Sequence, residues 1–504
     1  MSEEKIDFLT FAMQLFAASV LGLLVLGLVI LAVLYVIDVN QTRHTIRRNY
    51  PVIGRLRYWF EHMGEFFRQY FFALDREEMP FNRAQRSWVY RAAKNVDSTL
   101  AFGSTAPLDK PGTLLFVSTP FPTLSEDVCT APPLVIGPWC RTPYEAPSFF
   151  NISGMSYGSL SSPAVQALSR GAKEAGCWLN TGEGGLSPHH LSGGCDLVMQ
   201  IGTAKYGVRD ENGNLSDEKL REIAAHQQVR MFELKISQGA KPGKGGILPG
   251  LKVTEEIAAI RGIPAGQDSI SPNGHPEIHS VRDLLDMIHR IRDVTGKPVG
   301  IKMVMGGTDF FDLLCSEVRE RGEWSAPDFI ALDSADGGTG AAPQSLMDHA
   351  GLPIRESLPW LVDKLEHYGL RERIRLIATG KLVNPVDVAW ALCAGADFVV
   401  SARGFMFALG CIQALQCNKN TCPTGITTHN KKLQQGLNPA DKSVRVTSYA
   451  QHMVHEVGVI AHSCGVSEPR QLTRRHARMV IEPGHSESLD VLYRARHQPV
   501  RIVE

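Results

Sequence analysis

Eight short apolar runs, each followed by a glycine-containing loop, constrain the fold of this chain more than any other feature. They occupy residues 149–154, 177–180, 197–201, 231–236, 299–303, 328–332, 374–378 and 397–401. Longer helical patterns lie between several of them, for example at 161–175, 281–295 and 384–394. Nearly continuous apolar strands that alternate with helices favour a parallel sheet covered on both faces. Eight such units predict an α/β fold, a (β/α)8 TIM barrel.

Glycine and polar residues gather directly after these runs, at the end where such barrels carry their active sites. Examples are Gly-Met-Ser-Tyr-Gly after the first run and Asn-Thr-Gly-Glu-Gly-Gly after the second. Glycine lets a ligand approach the backbone and permits a positive φ. The loops after the last three runs lie where barrels commonly bind a phosphate through backbone N–H groups. We find no Gly-x-Gly-x-x-Gly pattern between a strand and a helix, so an internal NAD(P) site is not expected.

A segment of 23 residues without charge, Leu15 to Ile37, predicts an N-terminal transmembrane helix. At roughly 1.5 Å per residue it can cross a hydrocarbon core of roughly 30 Å. Acidic residues precede it and basic residues follow it: Glu3, Glu4 and Asp7, then Arg43, Arg47, Arg48, Arg55 and Arg57. This asymmetry predicts a single-pass anchor in the cell membrane with the catalytic domain in the cytoplasm. A cleaved signal peptide is the alternative, although the acidic leader and the long apolar run do not favour it.

The predicted organisation has four parts. Residues 1–40 form the anchor, 41–148 a small N-terminal extension, 149–465 the barrel and 466–504 a C-terminal tail. Within the extension, residues 55–74 mix aromatic side chains with arginine. This pattern is typical of an amphipathic helix, which lies either on the membrane surface or against the catalytic domain. The formal net charge is zero, which gives no reason to expect a nucleic-acid partner.

Three of the ten cysteines, Cys411, Cys417 and Cys422, lie within twelve residues of one another. Their spacing cannot put all three thiols on one face of a regular helix, so the segment is expected to fold around something. Three thiolates fit an iron–sulfur cluster that lacks one iron, or one that uses a distant fourth ligand. Zinc is the lesser alternative, because it usually takes four ligands with closer spacing.

Several motifs taken together resemble the FMN-binding synthase domain of the glutamate synthase family. They lie at 153–161, 180–185, 234–253, 336–343, 349–353 and 410–427, the last being the loop with the three cysteines. The resemblance extends from about residue 149 to 465 and implies FMN as a cofactor. It also implies that Cys411, Cys417 and Cys422 hold a [3Fe–4S] cluster.

The resemblance further implies roles for individual residues. Ser156, Tyr157 and Gly158 would line the flavin, and Lys235 and Gln238 would lie on the side of its ring. The phosphate would be held by Gly337, Gly338, Thr339, Gly380, Lys381, Ala402 and Arg403. Substrate binding is implied for Gly239, Lys241 and Arg261, and catalytic roles for Glu183 and Lys241.

General chemistry agrees with these assignments. A lysine beside the flavin can stabilise its anionic reduced ring, and lysine and arginine are suited to binding carboxylates. A purely structural ion pair at Lys235 or Arg261 is the alternative.

Three departures from the family pattern stand out. Ile247 lies where the family usually has a glutamine that contacts the substrate, and isoleucine cannot replace its hydrogen bonds. The segment 379–382, Thr-Gly-Lys-Leu, lacks the acid of the usual Asp-Gly-Gly-Leu. The chain also begins with the apolar segment, and its first cysteine is Cys129. We therefore expect a membrane-anchored, stand-alone form that lacks the glutaminase domain and its N-terminal cysteine nucleophile.

The resulting hypothesis is reductive amination of 2-oxoglutarate to L-glutamate, with reduced FMN and an iron–sulfur cluster. Electrons would come from an external donor, a ferredoxin-like protein or a reductase subunit. Nitrogen would come from ammonia, an amine or a separate glutaminase subunit. One alternative is an FMN/Fe–S dehydrogenase or synthase for another oxo acid or amine. The other is a membrane electron-transfer protein without amination chemistry.

Overall fold

The chain divides into two units, Met1–Ala84 and Gln85–Glu504, in a computed structural model that describes residues 3–72 and 74–494. The sequence suggests boundaries elsewhere, after residues 40 and 148. The first unit takes in the apolar segment together with part of the predicted extension. The remainder of that extension belongs to the unit that contains the barrel.

The apolar segment forms one long helix, α1 (Glu3–Asn40). From Thr10 to Asn40 it is long and apolar enough to cross a membrane, and its most apolar stretch is not buried. Large side chains such as Leu15, Leu23 and Leu28 are more than half exposed. The helix is therefore a candidate for a membrane span or for a signal sequence.

Asp38 organises the turn that follows α1. Its carboxylate is buried and lies 2.9 Å from Arg47 Nη2 and 2.8 Å from Arg55 Nε. The backbone N–H of Val52 also donates to it, at 3.0 Å. A buried carboxylate that accepts several charge-assisted hydrogen bonds fixes the chain segments that supply the donors. Asp38 thus ties the end of α1 to the next two helices, α2 (Thr45–Asn49) and α3 (Gly54–Phe67).

The segment predicted to form an amphipathic helix does form helix over most of its length. It comprises α3 and a π-helical turn, Arg68–Phe72. Three apolar side chains on α3, Leu56, Trp59 and Phe60, are exposed by 53, 53 and 62%. Within the first unit, therefore, this part of the helix surface is not covered by protein.

Fifteen strands are found in the described part of the second unit, and eight of them close into a parallel barrel. The barrel consists of β4 to β7 and β10 to β13, and β13 pairs with β4 to close it. These eight strands match the eight apolar runs to within two residues at each end, so the predicted (β/α)8 fold is confirmed. In chain order the strands are β1 (Leu114–Phe116), β2 (Leu134–Ile136), β3 (Tyr144–Ala146), β4 (Phe150–Ile152), β5 (Leu179–Asn180), β6 (Leu197–Ile201), β7 (Val229–Lys235), β8 (Ile247–Leu248), β9 (Ser269–Ile270), β10 (Val299–Val304), β11 (Phe329–Asp333), β12 (Arg375–Thr379), β13 (Phe398–Ser401), β14 (Ala477–Glu482) and β15 (His485–Ser488).

Helices follow the barrel strands, and their ends have ordinary capping chemistry. The Ser161 hydroxyl accepts a hydrogen bond from the backbone N–H of Ala164 where α5 begins, and Gly176, at φ 68°, ends it. The three helices predicted at 161–175, 281–295 and 384–394 are α5, α9 and α13. In chain order the helices after α3 are α4 (Arg83–Ala93), α5 (Ser162–Ala175), α6 (Pro188–Leu191), α7 (Asp217–Ala225), α8 (Glu255–Arg261), α9 (Val281–Thr295), α10 (Asp309–Arg321), α11 (Gln344–His349), α12 (Ile354–His367), α13 (Pro385–Ala394), α14 (Arg403–Leu409), α15 (Lys431–Gln434), α16 (Pro439–Ser463) and α17 (Leu489–Arg494).

A short hairpin covers one end of the barrel. Its strands β2 and β3 pair antiparallel, and Ile136 and Tyr144 pack with Trp178, Phe329 and Phe398 in one apolar cluster. Phe329 and Phe398 are the first residues of β11 and β13. The cluster therefore fills the amino-terminal end of the barrel and leaves the opposite end to the functional loops.

The predicted C-terminal tail, 466–504, is largely structured over its described part. β14 pairs antiparallel with β1 on one side and with β15 on the other, which makes a three-stranded sheet. Helix α17 follows this sheet. Residues 495–504 lie outside the described residues.

Candidate active site

The loops at the carboxyl end of the barrel contact one another through glycines. A Cβ on Gly182, after β5, would lie 2.6 Å from the backbone nitrogen of Ser156, after β4. A Cβ on Gly239, after β7, would overlap the carbonyl oxygen of Ser334, after β11. Only glycine allows backbones to approach this closely. The predicted functional loops are therefore brought to one place.

Glu183 lies among three buried cations in this place. The Lys235 ammonium is 3.1 Å from its Oε2, and Lys241 and Arg261 act on it electrostatically. Burial opposes ionisation of this carboxyl, but the three cations together lower its pKa to about 2. Glu183 is consequently ionised near neutral pH, where it accepts hydrogen bonds rather than donating a proton.

Lys241 is the second buried lysine near Glu183. The residue is only 5% exposed, and its ammonium interacts electrostatically with Glu183 and Lys235. Its position is set by the backbone, since Ala240 has φ 66° and the Lys241 N–H donates to the Gln238 carbonyl. Burial lowers the pKa of Lys241, and the attraction of Glu183 opposes that shift. A buried ammonium in this setting is suited to binding a carboxylate.

Arg261, the last residue of α8, has clear structural contacts. Its Nη1 donates to Ser269 Oγ at 3.1 Å and its Nη2 to the Tyr157 carbonyl at 3.4 Å. A Cβ on Gly158 would lie 3.0 Å from Nη2. Its Nε, also buried, has no partner within residues 3–72 and 74–494. Arg261 therefore supports the loop after β4 and keeps one donor for another ligand.

Lys235 and Gln238 connect the charged residues to the glycine-rich loop after β11. The Lys235 ammonium donates to Gln238 Oε1 at 2.7 Å, and Gln238 Nε2 donates to the Gly338 carbonyl at 2.6 Å. The Gly239 N–H donates to Asp333 Oδ2 at 3.1 Å. Hydrogen bonds thus connect Lys235 and Gln238, the two residues predicted at the flavin ring, to the start of the predicted phosphate loop.

The predicted phosphate residues come together around Asp336. Lys381 Nζ lies 3.2 Å from its carboxylate, and Arg403 Nη2 donates to its carbonyl at 3.0 Å. A Cβ on Gly338 would be 2.7 Å from Arg403 Nε, and Gly380 has φ 108°. These contacts make a cradle of backbone and two cations, suited to an anion. The other predicted phosphate residues lie in the same three loops: Gly337, Thr339 and Ala402.

The loop predicted to line the flavin is largely buried. The Tyr157 hydroxyl donates to Glu256 Oε2 at 2.5 Å, and burial together with this bond raises the pKa of Tyr157. His429 Nε2 lies 2.8 Å from the carbonyl of Gly158. Ser156 is also buried. This loop is therefore held from both the α8 side and the segment that follows the three cysteines.

The three cysteines lie in an irregular loop after α14. The Tyr90 hydroxyl donates to the Cys411 carbonyl at 2.6 Å, and Lys252 Nζ lies 3.3 Å from the Cys417 carbonyl. The same lysine donates to the Ser159 carbonyl at 2.8 Å. Lys252 thereby links the cysteine loop to the loop after β4. Residues with positive φ shape the cysteine loop: Gln413, Leu415 and Asn420.

The thiols of this loop are free and lie near one another. Burial and, more weakly, the neighbouring thiols of Cys417 and Cys422 raise the pKa of Cys411 to about 12. Within the described ranges, no group of three His, Cys, Asp or Glu side chains is arranged to hold a single metal ion. In a cubane cluster each thiolate binds a different iron, which is a different arrangement from ligands around one ion.

Residues 135–467 match the family model described as the conserved region in glutamate synthase. The match takes in the whole barrel, every predicted site residue and the cysteine loop. The chain belongs to the glutamate synthase family. The resemblance inferred from the motifs between 149 and 465 is therefore confirmed.

Several curated members of the glutamate synthase family are similar to this chain. The glutamate synthase large subunit-like protein YerD of Bacillus subtilis is 38% identical, over 94% of this chain and 97% of that protein. An archaeal-type glutamate synthase (NADPH) of Thermotoga sp. is 34% identical, and an archaeal glutamate synthase (NADPH) of Methanocaldococcus jannaschii is 33% identical. Those two alignments cover 64% and 68% of this chain but only 60% and 64% of the relatives. Among solved structures, mandelate oxidase aligns with a TM-score of 0.46 and 15% identity, over 78% of this chain and 98% of that one.

Three buried polar residues near the family's site were not predicted from the sequence. His275 Nε2 lies 2.9 Å from the Lys235 carbonyl, and Lys252 bridges two loops. Glu233, in β7, accepts hydrogen bonds from Asn180 Nδ2 and Gln200 Nε2 at 2.9 and 2.6 Å. An acidic residue within an apolar strand could have indicated Glu233. His275 follows Pro272, Asn273 and Gly274, where the sequence has no recognisable pattern.

Ile247, where the family usually has glutamine, lies in the small sheet of β8 and β9. It pairs with Ile270 across this sheet, and the two side chains are 41% and 67% exposed. Gly246, the preceding residue, comes so close to Glu183 that a Cβ there would lie 2.5 Å from Oε1. Ile247 is therefore the next residue after Gly246, which lies against the Glu183 carboxylate.

Proposed function

We propose that this glutamate synthase family member is an FMN-dependent oxidoreductase that reductively aminates 2-oxoglutarate to L-glutamate. The observation that carries the proposal is the largely buried side chain of Lys241 near the ionised Glu183. Burial of a cation is costly, and a ligand that supplies an acceptor and a negative charge offsets that cost. A carboxylate of a 2-oxo acid is such a ligand.

The residues present fit FMN. Gly239, Gly338 and Gly380 lie where a Cβ would meet neighbouring protein atoms, so these glycines let the loops after β7, β11 and β12 pack closely together, with their backbone groups brought to one place. Lys381 and Arg403 bring positive charge to the same loops, as a phosphate requires. Bound FMN would supply a hydride to the substrate carbon.

The chain's own side chains would bind and orient the substrate. Lys241 binds one carboxylate, and the free Nε of Arg261 supports the second. Glu183, which stays ionised, holds these cations in place and attracts a protonated nitrogen. The buried Lys235, together with Gln238, orients the ring of the flavin. All of these groups except Glu183 and Gln238 are at least nine-tenths buried, so little water competes for them.

We propose that Cys411, Cys417 and Cys422 hold a [3Fe–4S] cluster that receives electrons from an external donor, a ferredoxin-like protein or a reductase subunit. Three free thiols in one irregular loop fit the chemistry of such a cluster. The protein purified without oxygen is expected to contain about three irons and acid-labile sulfide. Cys417→Ser should lose the iron and keep the flavin, whereas Cys129→Ser, at an exposed cysteine, should keep both. One zinc per chain without sulfide would contradict this assignment.

We also propose that α1 is a single-pass anchor in the cell membrane, with the barrel in the cytoplasm. The long uncovered apolar helix and the arginines after it support this orientation. The exposed Trp59 and Phe60 on α3 are consistent with contact with the membrane surface. A reporter fused after Glu504 should be cytoplasmic and sediment with membranes. A C-terminus outside the cell, or a fully soluble protein, would contradict the anchor.

The experiment for the whole proposal compares oxo acids. Reduced protein is supplied with ammonium and with 2-oxoglutarate, pyruvate or a branched-chain 2-oxo acid, and the amino-acid product is measured. The account predicts L-glutamate as the main product. A second candidate is a synthase for a less polar oxo acid, favoured by the exposed Ile247 and Ile270. A preference for the branched-chain acid would select that candidate, and formation of no amino acid would contradict both.

A further inference from the structure

His275 is a buried histidine whose tautomer is fixed by its surroundings. It lies between β9 and α9 and is 6% exposed. Its Nε2 is 2.9 Å from the backbone carbonyl of Lys235. A carbonyl oxygen can only accept a hydrogen bond, so Nε2 must carry the hydrogen. In the neutral ring, Nδ1 is then an acceptor with a free lone pair.

No group in the described part of the protein donates a hydrogen bond to Nδ1 of His275. Nδ1 of His275 is buried, and no hydrogen-bond partner for it exists among residues 3–72 and 74–494. Burial lowers the pKa of His275, although the Lys235 carbonyl and Glu277 oppose that shift, so the ring stays neutral near neutral pH. A buried acceptor without a donor costs stability, which a ligand with an N–H or O–H group would recover.

His275 belongs to the same site as the charged residues. Its segment is fixed by the Thr203 hydroxyl, which donates to the Pro272 carbonyl at 2.7 Å, and by Gly245, whose N–H lies 3.4 Å from Asn273 Oδ1. It also interacts electrostatically with Glu183. The hydrogen bond to the Lys235 carbonyl holds His275 against the end of β7, the strand whose last side chain, Lys235, contacts Glu183.

The groups around the site divide into donors and acceptors. Lys241 and Arg261 are donors, and they match the oxygen atoms of a 2-oxo acid, which only accept. His275 Nδ1 is an acceptor and matches nothing on the oxo acid. The second reactant, ammonia, and the amino group of the product both present N–H donors.

We propose that His275 Nδ1 accepts a hydrogen bond from the substrate nitrogen, that is, from the ammonia consumed and from the amino group of the product. This rests on the proposed function, because it assigns a residue to the nitrogen of that reaction. His275 would be an amine-binding residue, and it would help the site to distinguish an amino acid from the corresponding oxo acid.

Two substitutions of His275 test its two ring nitrogens separately. His275→Gln keeps a donor at the position of Nε2 for the Lys235 carbonyl and removes the acceptor at Nδ1. His275→Asn keeps an acceptor near Nδ1 and loses the bond to Lys235. The measurement is calorimetric titration of the full-length oxidised holoprotein with L-glutamate and with 2-oxoglutarate, which requires no turnover.

The expected result is a change in the ratio of the two dissociation constants. His275→Gln should weaken L-glutamate binding about five- to tenfold and leave 2-oxoglutarate within about twofold. His275→Asn should keep the wild-type ratio, even if both affinities fall. An unchanged ratio in His275→Gln, or a shift of the ratio in His275→Asn alone, would overturn the assignment. If the wild-type protein binds neither ligand, the proposed function fails and the assignment fails with it.

Discussion

The two sides of the barrel mouth are built in different ways. Glu183 lies in the loop after β5, Lys235 ends β7, and Lys241 lies in the loop after β7. Their charged side chains lie close together. The loops after β11 and β12 carry Gly338 and Gly380, where the important property is the lack of a side chain. One side therefore depends on charged side chains, and the other on the close approach of loops that glycine permits, together with the cations of Lys381 and Arg403.

This difference implies that the two binding functions can be disrupted separately. Adding a methyl group on the glycine side should push apart the loops that we propose hold the cofactor and leave the charges on the other side intact. Removing a charge on the other side should weaken substrate binding while the cofactor stays bound. If either change weakened cofactor binding and substrate binding equally, the two binding functions would not be separable.

The largest effect is expected for Gly380→Ala. Gly380 has φ 108°, and a Cβ there would overlap the side chain of Ser334. Strain and overlap together should weaken FMN binding roughly 100-fold or more. Flavin content after gel filtration measures this. Gly340→Ala is the matched control in the same group of loops, because a Cβ at Gly340 meets nothing within 4 Å. Equal flavin loss in both variants would contradict the steric argument.

Lys241→Ala should give the next largest effect. Loss of a buried, charge-assisted hydrogen bond to the substrate should lower kcat/KM for 2-oxoglutarate about 10- to 100-fold, chiefly through KM. Flavin content should stay near that of the wild type. Lys244→Ala removes an exposed lysine from the same loop and should have little effect. Full activity of Lys241→Ala would mean that the substrate pocket lies elsewhere.

Glu183→Gln should give a smaller effect that depends on pH. The folded-state pKa of Glu183, about 2, is below its ordinary value of 4.5. Its ionised form therefore stabilises the fold above pH 4.5, and that contribution is lost as the pH falls towards 2. Between these values, the Tm of Glu183→Gln should fall less than that of the wild type. Glu211→Gln, at an exposed residue, should behave like the wild type. Identical Tm curves for Glu183→Gln and the wild type would show that the three cations do not hold the carboxylate.

The sequence predicted the barrel because its strands are buried on both faces. Every residue of β6, β10, β11 and β13 is buried, which is why the corresponding runs are almost continuously apolar. The glycines of the loops could be recognised for a similar reason, since close approach of backbones leaves few alternatives to glycine. Local physical requirements of this kind can be recognised directly in the sequence.

Features that depend on residues far apart in the chain could not be recognised in this way. Three-residue strands such as β1 and β2 are too short to show a period, and β1 pairs with β14, more than 350 residues away. His275 could not be identified, because its role depends on the carbonyl of Lys235, which any residue at that position would supply. The Asp38 contacts with Arg47 and Arg55 likewise depend on how the chain turns after α1.

We propose that the charged side binds an oxo acid while the glycine side holds FMN, so that both act in one reaction. A single-turnover experiment tests it most directly. Holoprotein is reduced without oxygen, mixed with 2-oxoglutarate, ¹⁵N-ammonium or both, and followed by flavin absorbance and product analysis. The account predicts that the flavin is reoxidised only when both are present, with ¹⁵N-labelled L-glutamate as the product. Reoxidation that needs neither reactant, or reoxidation by 2-oxoglutarate alone without L-glutamate, would contradict it.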